Sequence, residues 1–285
     1  MSSEQLTLSN DAVRLDLAPA RGGGITRFDW RDEPIFAPVR GPTPEDMACI
    51  PLVPFANRIA QGRFRVGDTD VQLPLLPGQA HALHGDGWLA DWAVVRATAD
   101  SAVLRFEHDS GAWPWRYRAE QTLDLHDSGY RHSISLTNCA DTPMPAGIGL
   151  HPWLPRTADT RYLGLHCGEW QMGDDQLPAL LDMRDAPRDW WQGATVASRS
   201  VDTCHVGRDG PLTIVWPARG LRLVMRPSPS LGMTHVYVPM GAAFFCVEPV
   251  SHSPDAINRR GDNGLVWLAP GATLAGSIDF TVTRA

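Results

Sequence analysis

Three stretches of the chain put proton-moving or ligand-holding side chains among residues that control the backbone around them. In Phe244-Phe245-Cys246-Val247-Glu248-Pro249, a carboxylate follows four apolar residues directly. A carboxyl delivered by a buried strand loses hydration, its proton affinity rises, and it becomes a better general base. The competing reading pairs Glu248 with Arg259 or Arg260 across a turn. In Gly147-Ile148-Gly149-Leu150-His151-Pro152-Trp153, the proline biases His151 toward an extended backbone. Trp153 beside it offers an apolar face of the kind sugars stack on. A histidine satisfied within the core is the alternative there. The third stretch joins Asn57-Arg58-Ile59-Ala60-Gln61-Gly62-Arg63-Phe64 to His81-Ala82-Leu83-His84-Gly85-Asp86-Gly87-Trp88. Its glycines allow tight turns and close backbone approach, so the polar side chains can be presented on loops. A polar hairpin tip would have the same composition.

Other chemistries lack their signatures. The chain contains no G-x-S-x-G elbow, no Walker A loop and no H-E-x-x-H helix motif. Gly147-x-Gly149 has no third glycine, and Gly22-Gly23-Gly24 precedes no recognisable helix, so a dinucleotide fold is unsupported. His81-x-x-His84 has chelating spacing without defined companions, and neither a metal nor a cofactor is expected.

The elements that must position these residues read as strands. Ala102 to Glu107, Tyr130 to Thr137 and Leu221 to Met225 alternate with period two, and the apolar run Ala242 to Val247 suits a strand buried on both faces. No long amphipathic helix stands out. The 26 Gly and 24 Pro among the 285 residues punctuate many short segments, which points to an all-β antiparallel sandwich or barrel. The least regular region, 168–200, carries Asp174-Asp175, Arg184-Asp185, Pro187 and Trp190-Trp191, and reads as a long excursion over the sandwich. The expectation is one domain spanning 1–285.

Net charge of -7 with scattered basic residues argues against nucleic-acid or membrane-surface partners. The N-terminal stretch shows no basic segment followed by an apolar one, so a cytoplasmic protein is expected. The five cysteines, at 49, 139, 167, 204 and 246, are widely spaced and odd in number, which fits reduced thiols serving as small core hydrophobes.

Asn57-Arg58-Ile59 with Gly62 and Phe64, Leu83-His84-Gly85, His151-Pro152, and Glu248-Pro249 with Asp255 and Asn258 together resemble, in order, the aldose 1-epimerase (galactose mutarotase) family. Ser200 to Cys204 and His235 to Pro239 resemble further family segments, so the likeness covers most of the chain. The resemblance implies a large antiparallel β-sandwich of the galactose mutarotase type, with a monosaccharide bound in a cleft on one sheet. It implies that Glu248 is the general base on the C1 hydroxyl, that His151 protonates the ring oxygen, and that His84 holds and polarises that region. Arg58 and Asp202 correspond to hydroxyl-binding residues, and Asn57 and Trp153 are further expected substrate contacts. The family's aromatic after His-Pro is here Trp153, and an acidic Asp86 follows two residues after His84, so the preferred sugar can differ from galactose. Arg58 and Arg63 would suit an anionic substituent. A hexose-phosphate 1-epimerase or a catalytically silent sugar-binding protein are the alternatives, and the chain is expected to be a monomer or homodimer.

Overall fold

The computed structural model describes residues 5–183, 190–261 and 263–285. These residues fold almost wholly into antiparallel strands linked by turns and seven short 3-10 segments. The expected strands lie inside Ser101–His108, Gly129–Asn138 and Leu221–Pro227. The last expected strand starts later, at Phe244, because Gly241 adopts φ 72° and keeps the preceding residues in a turn.

Two arms of sheet meet in the long strand Val201–Trp216. Its second half, Leu212 to Trp216, pairs with Leu221–Pro227, which leads through Thr273–Arg284, Gly129–Asn138 and Tyr117–His126 to Ser101–His108. Its first half, Val201 to His205, pairs with Met233–Val238, which leads through Phe244–Val250 and Gly149–Pro155 to Cys49–Leu52. Gly24–Trp30 and Val13–Ala18 extend that second arm. The arms face each other as a β-sandwich around one continuous core containing Leu15, Phe28, Leu223, Val247 and Phe280. Tyr130 and Phe280 stack at its centre with ring centroids 4.8 Å apart. Each such side chain, when fully buried, contributes roughly 1.5–3 kcal/mol through apolar area removed from water.

The irregular region is more ordered than its composition suggests. Arg161–Met172 and Pro178–Asp182 form a hairpin, and buried Trp190 packs on Tyr162 at 5.0 Å. Asp174 and Asp175 occupy its turn, where Asp175 Oδ1 accepts the Leu177 amide, while Arg184-Asp185 and Pro187 lie outside the described residues. The five thiols are free, but only Cys49, Cys204 and Cys246 are buried; Cys139 and Cys167 are exposed. Among the described residues no helix is long and apolar enough to cross a membrane.

Candidate active site

Strand register builds the floor of a cleft. Residues directly opposite each other on paired strands share a face of the sheet. Glu248 lies opposite His235, Cys204 opposite His235, and Asp202 opposite Tyr237. On the other side of the Glu248 strand, the pairs Gly149–Val250 and Trp153–Cys246 bracket a register that sets His151 opposite Glu248. His151, Glu248 and His235 therefore stand in a row across three strands, and Asp202 shares their face on the fourth, two residues before the Cys204 that lies opposite His235. His151 Nε2 is 3.2 Å from Glu248 Oε1. Asp202 takes His235 Nε2 on Oδ1 at 2.6 Å and Arg58 Nη2 on Oδ2 at 3.1 Å.

The wall comes from the two glycine-rich stretches. Asn57 and His84 both have positive φ, 56° and 62°, and lock together: the His84 amide donates to the Asn57 carbonyl at 2.8 Å, and the Asn57 amide donates to His84 Nδ1 at 3.0 Å. Because Nδ1 accepts, the proton of neutral His84 resides on Nε2. Gly85 follows at φ 74°, and a Cβ there would lie 2.0 Å from the Val53 carbonyl oxygen. Asn57 Oδ1 accepts from the Arg58 amide and from Arg58 Nη1, which aims the guanidinium at Asp202. Asn57 thus supports Arg58 as much as it lines the cleft.

The rest of the sequence signature fastens these loops. The Asp255 amide donates to the Arg58 carbonyl at 2.7 Å, and its carboxylate accepts from the Ala60 amide and Asn258 Nδ2. Buried His252 accepts the Ala56 amide on Nε2, and its Nδ1 lies 2.7 Å from the Ser253 carbonyl. Arg259 donates to the Pro178 carbonyl and lies over Trp170, so it is no partner for Glu248.

Burial governs the electrostatics. Desolvation pushes the Glu248 carboxyl up to about 7 despite the opposing influence of His235. It lowers His151 to about 3, helped by nearby His235, and holds His84 well below the usual imidazole range, helped by His151 and Arg58. Burial also raises the Asp202 carboxyl, but the His235 hydrogen bond and the charges of His235 and Arg58 outweigh it and keep that group ionised.

The cleft has a volume of about 420 Å³ and is lined by Asn57, Arg58, His84, His151, Asp202 and Glu248 together with Gly78, Gln79, Leu83, Gln176, His235 and Tyr237. Trp153 is not among them. Its ring stacks on His151 at 3.9 Å with Arg40 over it at 5.0 Å, so it braces the histidine where a sugar platform was expected. Arg63 is also elsewhere, bonded to Gln72, and Asp86 faces a neighbouring pocket. His235 and Tyr237 were recognisable as alternate polar positions in a strand; Gln79 and Gln176 sit in turns and gave no signal.

His81 is occupied by the Gln61 amide and lies 2.8 Å from the Asp175 carbonyl, so it does not join His84 around a cation. Among the described residues, His151, Cys246 and Glu248 converge closely enough to hold an ion. Burial raises the Cys246 thiol well above its ordinary range, which keeps it protonated and ill suited to ligation.

The model of the aldose 1-epimerase family matches residues 4–281. The chain is 33% identical over 297 residues to the uncharacterized protein YphB of Escherichia coli K12, covering 97% of this chain and 98% of that protein. A crystal structure from Escherichia coli K12 superposes with a TM-score of 0.91 at 32% identity, covering 99% of both chains. A galactose mutarotase-like protein from Clostridium acetobutylicum superposes with a TM-score of 0.88 at 17% identity, covering 99% of this chain and 95% of that one. With the site's order of residues, the two-armed sandwich and a family match over nearly its whole length, this chain belongs to the aldose 1-epimerase family.

Proposed function

We propose that the chain, acting as a single domain, is a mutarotase that interconverts the α and β anomers of a neutral free aldose. The observation that carries this reading is the contact of His151 and Glu248 at 3.2 Å on the floor of a polar cleft. Anomer exchange needs one proton removed from the C1 hydroxyl and one delivered to the ring oxygen, and a buried acid/base pair sharing a single proton does both. Burial favours protonated Glu248 beside neutral His151. The reactive arrangement transfers that proton, leaving a Glu248 carboxylate and a His151 imidazolium.

Glu248 then takes the C1 hydroxyl proton as His151 protonates the ring oxygen. The C1–ring oxygen bond breaks to give the open-chain aldehyde, and the pair returns to protonated Glu248 and neutral His151. After rotation about C1–C2, neutral His151 takes the C5 hydroxyl proton, that oxygen attacks the other face of C1, and Glu248 protonates the new C1 oxygen. Atoms and protons balance without redox change or a covalent enzyme intermediate. His84, with its proton on Nε2 and its ring centroid 5.2 Å from that of His151, is placed to donate toward the same oxygen. Arg58, Asp202 and His235 hold the remaining hydroxyls.

The neutral sugar follows from charge. Arg58 and His235 are the positive groups facing Asp202 among the described lining residues; Arg58 is already engaged by Asp202 and Asn57, and His235 by Asp202. A phosphate or carboxylate would be buried where both positive groups already face the Asp202 carboxylate, which is costly. The test is anomer exchange by NMR over neutral, acidic and phosphorylated aldoses. Acceleration confined to neutral sugars supports the reading; acceleration confined to sugar phosphates refutes it.

A further inference from the structure

Beside the cleft lies a second pocket of about 240 Å³, walled by Phe55, Leu73, Leu75, Leu76, Leu89 and Trp113, with Asp86 and His108 also in its lining. We propose that this pocket is a binding site for a small neutral molecule with one aromatic ring and a hydroxyl that donates to Asp86, and that its occupancy is felt at the sugar cleft.

Size and lining set the body of the ligand. An apolar cavity of roughly 150 Å³ accommodates benzene, so this one suits a single substituted ring. Leu75 and Leu89 remain 43% and 47% exposed, which leaves apolar surface for a ligand to cover.

The polar residues set the functional group. His108 Nδ1 is 2.6 Å from Asp86 Oδ2 and its Nε2 is 3.0 Å from the Trp113 carbonyl. Both ring nitrogens therefore face acceptors, and the ring donates from both as an imidazolium. Burial opposes that charge, but the hydrogen bond to Asp86 and the Asp86 charge outweigh it and raise the His108 proton affinity. The Tyr117 hydroxyl donates to Asp86 Oδ1. These donors are spent, whereas a carboxylate accepts at about four positions and Asp86 has filled two. Its side chain is 39% exposed, so the unspent capacity is reachable. The ligand must donate, and because His108 already balances the Asp86 charge it need not be cationic.

Shared structure connects the two sites. Leu83 lines both, and the segment that gives Pro74, Leu75 and Leu76 to the pocket gives Gly78 and Gln79 to the cleft. A ligand against Leu75 and Leu76 presses on the segment that carries Gln79.

Ligand-observed saturation-transfer NMR with 4-methylphenol as probe tests this, with 4-methylanisole, which lacks the hydroxyl proton, as control. The expected result is transfer to the phenol, at least tenfold weaker binding of the ether, and loss of phenol binding in Ala112→Phe, an exposed lining position outside the sugar cleft. The phenol should also change the wild-type KM for the sugar at least twofold. No transfer in the wild type, equal binding of the ether, unchanged phenol binding in a folded Ala112→Phe, or an unmoved KM would each overturn the proposal. The binding arms read the pocket whether or not anomer exchange is detected.

Discussion

Replacing Glu248 by glutamine should stabilise the protein in a pH-dependent way while removing its base. The carboxyl is fully buried, and burial carries its pKa from 4.5 to about 7. A folded-state value above the unfolded one means that the neutral group's contribution is complete below about pH 4.5. It is lost as pH rises through the folded value near 7. At about 1.4 kcal/mol per pKa unit, the loss reaches on the order of 3 kcal/mol by pH 8. Glutamine keeps the shape and stays neutral throughout, so the variant avoids that loss. Urea unfolding of both proteins from pH 5 to pH 8.5 measures the difference directly, provided the slope is unchanged. The variant's advantage should grow across this range and flatten above pH 7.5. A difference that stays constant with pH, or that turns against the variant at high pH, would refute the claim that Glu248 is a desolvated carboxyl.

Other outcomes follow from the same geometry. Because the Glu248–His151 pair must hold one shared proton, kcat/KM should fall as pH rises through about 7; a rate that rises there would instead assign ring-oxygen protonation to neutral His84. Asp202→Asn removes the charge that holds Arg58 and His235, and at about 1.5–3 kcal/mol for hydrogen bonds to a charged group it should lower kcat/KM by roughly 10- to 100-fold. Steady-state kinetics would show an undiminished value if Asp202 were idle. Gly85→Ala strains a residue at φ 74° and drives a methyl into the Val53 carbonyl, so thermal unfolding should show a loss of at least about 1–3 kcal/mol. Wild-type stability in that variant would mean that the His84 loop is not packed as described.

Much of the site was legible because its chemistry sits on regular strands. Glu248 follows four apolar residues that fill a buried strand, and His151 precedes a proline on another, so sequence and position agreed. The Trp153 placement was not legible. Residues two apart share a strand face, yet their spacing does not say which ring lies over the other, and here indole and imidazole stack. His235 and Tyr237 gave a period-two signal that became meaningful only when register set His235 opposite Glu248. The long strand Val201–Trp216 was obscured by Gly207 and Gly210, which take φ 63° and 79° within it. Turn-forming residues there mark the place where one strand passes from pairing with Met233–Val238 to pairing with Leu221–Pro227.

If Glu248 and His151 exchange the anomers of a neutral aldose as proposed, the anomer exchange rate of glucose and galactose by NMR will show it. Wild-type protein should accelerate exchange of at least one of them, and Glu248→Gln, shown to be folded, should lower that rate by at least about a hundredfold. Near-normal exchange in the folded variant would mean that Glu248 is not the base.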